Sequence, residues 1–350
     1  MAHSSTGSGS LPRDAPSIHG RAWRGVGLLI AVGLLIVIAL LSVAIGAKPI
    51  PLGTVLHELV HYDGSDDGVI IRSLRIPRTL LGLAVGIALG LAGALMQALT
   101  RNPLADPGLL GVNAGASAAV VTAVGVLGIT SPSAYVWFAL LGAGVASVLV
   151  YVLGSRGRAA ATPVRLALAG MAITAVLAAF ISGVTLLDQR AFDQYRFWSV
   201  GALAGRDLTV LYAVTPFLII GTLVALLLAR PLNALALGDD AGRALGAHLN
   251  RTRASGALAV TLLCGAATAA AGPIGFVGLT VPHVARAITG PDQRWVLPYS
   301  AVLAPTLLLA SDVLGRVIAR PGEIQVGIVT AFVGAPVFIA LVRRRRIAQP

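Results

Sequence analysis

The chain holds one lysine, Lys48, and one cysteine, Cys264, among 350 residues. A P-loop needs a Gly-Lys-Ser/Thr run whose lysine reaches the phosphates. Here Lys48 is followed by Pro49, so any ATP that drives this protein is handled by another chain. The lone Cys264 can form no intrachain disulfide and, set in an apolar run, reads as a small core residue. Charge is scarce too: 11% of residues are Asp, Glu, Lys or Arg, against about 25% in an average soluble domain. The 14 carboxylates avoid the centres of the apolar runs. Ion-coupled carriers retain ionisable groups there despite a cost of about 2.5–3.5 kcal/mol each. With Asp312 near a run's end and His283 alone, an ion-coupled secondary transporter has little to work with.

What is present is membrane. Hydrophobic residues make up 56% of the chain and mean hydropathy is +0.86. Crossing a hydrocarbon core of about 30 Å takes about 20 apolar residues. Candidate spans begin near Gly25, Leu80, Gly108, Ala134, Val164, Leu208, Ala254, Pro273, Val296 and Gln325. The expected fold is therefore an all-α polytopic membrane protein of about ten helices. Residues 25–342 form one transmembrane domain, because irregular backbone at membrane depth survives only inside protein or beside a cavity. Residues 1–24, rich in Ser, Gly and Pro, read as a disordered cytoplasmic tail, and residues 343–350 as a basic one. The first apolar run exceeds the 7–15 residues of a signal-peptide core, which favours an uncleaved anchor.

Short cytoplasmic loops collect arginine. With the amino terminus inside, Arg101, Arg156, Arg158, Arg165, Arg230, Arg243, Arg251, Arg253, Arg286, Arg294 and the run Arg343 to Arg346 all fall on the cytoplasmic face, and an even helix count puts both termini there. The formal net charge of +12 is then mostly topology beside anionic lipid and needs no nucleic acid. Arg72, Arg75, Arg78, Arg316 and Arg320 oppose the trend on the outer face. They either pair locally with Asp63, Asp66, Asp67, Asp312 or Glu323, or offer a basic surface to an acidic partner.

Two motifs interrupt the apolar pattern. His57-Glu58-Leu59-Val60-His61 matches H-E-x-x-H, in which two histidines one turn apart bind zinc and the glutamate acts as base. No third ligand stands at a suitable distance, and an amphipathic outer-face helix with Leu52, Val55, Leu56, Leu59 and Val60 on its apolar side accounts for the same residues; zinc proteolysis is the remote alternative, and no metal site is assigned. The second interruption, residues 102–111, breaks a helix between two apolar runs without turning hydrophilic. Ahead of it Gly82, Gly86, Gly90 and Gly93 would let helices approach closely.

The motifs in their order resemble the permease subunits of ABC importers for iron-siderophores, haem and cobalamin, with type II importer architecture. The carriers are Arg75-Ile76-Pro77-Arg78, then Gly93-Ala94-Leu95-Met96-Gln97 with Asn102, Pro103 and Pro107, then Gly272-Pro273-Ile274-Gly275 with Pro282 and His283, and finally Val326-Gly327-Ile328-Val329-Thr330. The resemblance implies a dimer with a second copy or a related permease. It also implies two ATP-binding subunits inside, carrying the ATP and Mg, and a substrate-binding protein outside. Arg75, Arg78 and Arg316 would dock that protein. Leu237, Gly238, Asp239, Asp240, Ala244, Leu245 and Gly246 would couple to the ATPase. Ser182, Thr185, Trp198, Ser199 and Gly201 would line the path or its gate. This chain would be no enzyme and hold no cofactor. A ferric siderophore is the expected cargo, with cobalamin or haem as the alternatives. Helical units beginning at the second and seventh spans would form an inverted pair.

Overall fold

A computed structural model of the chain describes residues 18–61, 63–155, 163–244, 246 and 248–344, and all the regular structure among them is helical. Residues 1–17 and 345–350 of the expected tails, Arg156, Arg158 and the coupling residue Leu245 lie outside the described residues.

Helix α1 spans Ile18–Ala44, α2 Leu52–Val60, α3 Asp66–Val69 and α4 Ile76–Thr100. They are followed by α5 (Val112–Gly125), α6 (Pro132–Ser155), α7 (Pro163–Leu187), α8 (Gln189–Ser199) and α9 (Leu208–Leu227). Next come α10 (Ala229–Ala236), α11 (Asp239–Ala244), α12 (Leu249–Ala271), α13 (Val277–Thr289), α14 (Gln293–Ile318) and α15 (Val326–Arg344). Helices α1, α4, α5, α6, α7, α9, α12, α13, α14 and α15 match the ten expected spans. Helix α1 starts at Ile18, so residues 18–24 of the expected tail are helical.

The second span begins earlier than its apolar run suggests. Helix α3, a π-helical turn over Ile70–Arg75 and α4 form one run, Asp66–Thr100. Pro77 stands inside this run, two residues past the π-helical turn, where the regular i→i−4 bonding is already interrupted. Helix α2 also differs from expectation: it buries Val55 and Glu58 and exposes Leu52, Leu56, Leu59 and Val60. Its apolar side faces outward, as apolar sides can where the surroundings are lipid rather than water.

Helices α4 and α12 form the centre: 78% and 67% of their apolar windows are buried, against 11% for α1 and α7. Helix α4 packs on α13 and α14, while α12 packs on α5 and α6. The unit α4–α7 and the unit α12–α15 thus interleave, each placing its first helix against the second and third of the other. Both first helices end at a left-handed residue, Arg101 at φ 50° and Gly272 at φ 76°. A short break and then a short helix follow in each unit, α5 with 14 residues and α13 with 13. Such helices reach only about 20 Å, so the breaks must supply the remaining depth.

The glycine series on α4 works by close approach. A Cβ on Gly82 would meet Leu309, one on Gly86 the backbone of Pro305, and one on Gly90 the Ser300 carbonyl, a register that runs antiparallel along α14. Gly93 lies against the backbone of Gly278 on α13 in the same way.

Candidate functional site

The end of the bundle that carries α2 gathers the arginines.

Arg75 is 4% exposed and donates to the carbonyls of Val43 (3.1 Å), Ala44 (2.5 Å) and Lys48 (2.6 Å). It therefore caps the C-terminus of α1, where a cation also suits the helix dipole. Arg316, 1% exposed, reaches the same terminus, donating to the Ser42 carbonyl at 2.7 Å and the Ser42 hydroxyl at 2.9 Å. It also donates to the Ile45 carbonyl at 3.0 Å and pairs with Asp312, one helical turn back on α14. Asp312 is fully buried and also accepts from Arg78 Nη2 at 2.7 Å, while Arg78 Nη1 donates to Glu323 at 2.6 Å. Local pairing, one of the two readings of these arginines, is thus what the side chains of Arg78 and Arg316 show. Arg75 and Arg316 are committed to α1; Arg78 keeps 12% of its side chain exposed.

Two hollows open at this end, of about 510 Å³ and 340 Å³. They share Arg78, Leu203, Ala204, Arg206 and Glu323. The smaller is also lined by Tyr135, Phe197, Trp198 and Gln325.

Of the expected path and gate residues, Trp198 and Gly201 are buried where α8 gives way to loop. Gly201 has φ 78° and lies against the Pro273 carbonyl, and Gly272 lies against the Trp198 carbonyl. The Ala202 N–H donates to Ala271 O at 2.7 Å, and Gly327 N–H to Gly201 O at 3.1 Å. The segment is therefore wedged between the ends of α12 and α15, so Gly201 meets Gly272 and Pro273. Ser199 only back-bonds to Arg196 O at 3.1 Å. Ser182 is exposed on α7, and Thr185 back-bonds to Ile181 O at 2.8 Å. The short helix that carries Trp198 and Ser199 spans Gln189–Ser199, started by the Asp188 side chain, which accepts from Ala191 N–H.

At the opposite end, Gln97 donates to Leu279 O at 3.1 Å and accepts from Arg286, while His283 Nε2 lies 2.7 Å from Pro103 O. Asn102 accepts from Leu104 N–H at 2.9 Å, and Pro107 opens a 3-10 turn. Pro282 sits inside α13. These motif residues tie the break after α4 to α13.

Helices α10 and α11 meet at Gly238, whose φ of 104° turns the chain. Asp239 accepts from Arg253 at 2.9 Å and from Arg101, which anchors α11 to α12 and to the end of α4. Partial burial raises the Asp239 pKa, but bonds from both arginines outweigh it and leave the carboxyl below its usual range. Leu237, Asp240, Ala244 and Gly246 are exposed around this anchor. Asp292 fastens the start of α14 nearby, accepting from Asn233 at 2.6 Å; burial opposes ionisation there, yet bonds from Arg294 and Asn233 bring its pKa down to about 2.

The H-E-x-x-H residues do not assemble a centre. His57 and His61 stack at 5.5 Å on the exposed side of α2, whereas Glu58 is buried and accepts from Ser65 at 3.3 Å. Among the described residues no group of three or more His, Cys, Asp or Glu could hold a metal. Sequence reasoning did not single out Arg206, which donates to the Tyr135 hydroxyl at 2.5 Å. No local pattern announces a contact between residues so far apart in the chain.

Compared with known proteins, residues 34–344 match the profile of the FecCD transport family. The ferric enterobactin transport system permease protein FepD of Escherichia coli (strain K12) is 51% identical over 312 residues, covering 89% of this chain and 93% of that protein. The hemin transport system permease protein HmuU of Yersinia pestis is 35% identical, covering 89% and 94%. Among solved structures, a metal-chelate type ABC transporter in an inward-facing conformation superposes with a TM-score of 0.81 at 26% identity, covering 92% of this chain and all of that one.

Proposed function

The chain belongs to the FecCD transport family, and from that premise we propose that it is the permease subunit of an ABC importer that moves ferric siderophores inward. The observation that carries the cargo is the 51% identity to a ferric enterobactin permease, against 35% to a hemin permease. The α2 end then faces outward and the α10 end faces the cytoplasm, with both termini inside a bacterial plasma membrane. Two ATP-binding subunits supply hydrolysis, and a second permease completes the path, to which α7 contributes Ser182 and Thr185.

A substrate-binding protein docks on the outer end. Arg78 is the part-exposed member of the expected set, and Arg75 and Arg316 hold the rim beneath it by fixing α1. Bidentate pairing suits arginine to carboxylates on such a partner. At the inner end, Leu237, Gly238, Asp240, Ala244 and Gly246 form the surface on which the ATPase acts, and Asp239 transmits its movement to α4 and α12. Alternating access follows as a two-state equilibrium that both partners bias.

Leu237→Asp is expected to reduce co-purification of the ATPase subunit by roughly tenfold, the scale of an interface anchor, while binding-protein docking is retained. Equal retention of the ATPase by this variant would remove α10 and α11 from the interface. The function itself is tested by uptake of radiolabelled ferric siderophore, haem and cobalamin in cells lacking the gene and in complemented cells. Loss and rescue of ferric siderophore uptake alone is expected; an effect confined to haem or cobalamin would change the cargo, and no effect on any would end the proposal.

A further inference from the structure

We propose that the hollow beside Arg206 is a binding subsite for an aromatic, oxygen-bearing anion, of the kind a catecholate group presents on the surface of a ferric chelate. The inference rests on the permease reading above and adds a residue set and a ligand chemistry to it.

Charge is the first observation. The larger hollow is lined by Lys48, Arg75, Arg78, Arg206 and Arg316, against Asp207 and Glu323. Most of these cations are already engaged: Lys48 with Asp67, Arg78 with Asp312 and Glu323, Arg316 with Asp312, and Arg75 with carbonyl oxygens. Arg206 differs. Its guanidinium meets the Tyr135 hydroxyl and ring, and among the described residues no carboxylate forms an ion pair with it. Neighbouring Asp207 is turned to α9 instead, where it caps the helix by accepting from Val210 N–H at 3.1 Å.

Unsatisfied polar atoms are the second observation, independent of charge. Arg206 Nε, Trp198 Nε1 and Gln325 Oε1 are buried without a hydrogen-bond partner, and all three residues line the 340 Å³ hollow. Buried polar atoms left unpaired are costly, and their gathering on residues that line one hollow points to a ligand that completes them. Two are donors, which calls for acceptor oxygens. Tyr135, Phe197 and Trp198 supply aromatic faces beside them. An anion whose oxygens sit on an aromatic ring satisfies both demands, and the hollow's size lies at the lower end of small-molecule sites.

The test uses purified full-length permease in nanodiscs and measures direct binding of the trianionic ferric tris-catecholate complex by equilibrium dialysis with radioactive iron. Arg206→Gln is expected to weaken binding by roughly tenfold, the scale of one charge-assisted hydrogen bond, and Arg206→Lys to restore part of it. Trp198→Phe keeps the ring, removes the N–H and is expected to weaken binding severalfold, a second reading if Arg206→Gln folds poorly. A neutral ferric tris-hydroxamate complex is expected to bind at least tenfold more weakly than the catecholate. Equal binding of both complexes, or unchanged binding in both variants, overturns the proposal. So does normal chelate binding with lost docking of the binding protein, which would make the hollow a docking surface. Because binding is read without transport, failure here is distinct from failure of ferric siderophore uptake in cells.

Discussion

Asp312→Ala is expected to lose most of the folded permease from the membrane. The carboxylate is fully buried and is shared by Arg78 and Arg316, so its removal leaves two guanidinium groups without their common anion. Breaking a buried pair from one side costs about 3–5 kcal/mol, since the remaining charge stays desolvated. Arg316 also holds α1 through Ser42, so the loss spreads to a helix that has few other buried contacts. Ser42→Ala provides the comparison: it removes the hydroxyl shared by Thr79 and Arg316 but keeps the carbonyl bond to Arg316, costs about 1–3 kcal/mol and should leave the permease folded. Thermal unfolding in detergent, with the amount of extractable protein, checks both. Similar stability of Asp312→Ala and wild type would mean that the arginines are solvated from outside rather than held by this carboxylate.

Gly93→Ala is the second large effect. The added Cβ would lie 2.5 Å from the Cα and carbonyl carbon of Gly278, backbone atoms that cannot swing aside. Helices α4 and α13 must separate, and overpacking of this kind costs about 1–3 kcal/mol or more. Gly144→Ala on α6 meets nothing within 4 Å and is expected to be neutral or slightly stabilising, as alanine favours the helix. The pair separates close approach from glycine content in one unfolding experiment. Equal stability of the two variants would show that α4 and α13 adjust freely.

Why the spans were legible and the clusters were not follows from the range of the forces involved. Apolar runs report membrane burial directly, so the starts of α7 at Pro163 and α9 at Leu208 stand where hydropathy places them. Polar residues near a span end are ambiguous: the π-turn through Arg72 and Arg75 reads as loop in sequence because its side chains are charged. The apolar side of α2 was legible but its direction was not, since the same stripe can face protein or lipid. Asp312 and Arg316 announce their pair through i,i+4 spacing, whereas Arg78–Glu323, Arg101–Asp239 and Arg206–Tyr135 depend on the tertiary fold. The breaks after α4 and α12 were visible as Gly and Pro motifs; their contacts became visible only in the fold, where Pro103 O meets His283, Gly93 meets Gly278 and Gly272 meets Gly201 after α8.

The most direct measurement is iron uptake into proteoliposomes that contain this chain with its ATP-binding subunit, supplied with ferric siderophore on its binding protein. Accumulation that requires hydrolysable ATP and stops with a non-hydrolysable analogue is the predicted result. Uptake at the same rate without the ATP-binding subunit, or driven by an ion gradient alone, would contradict the account.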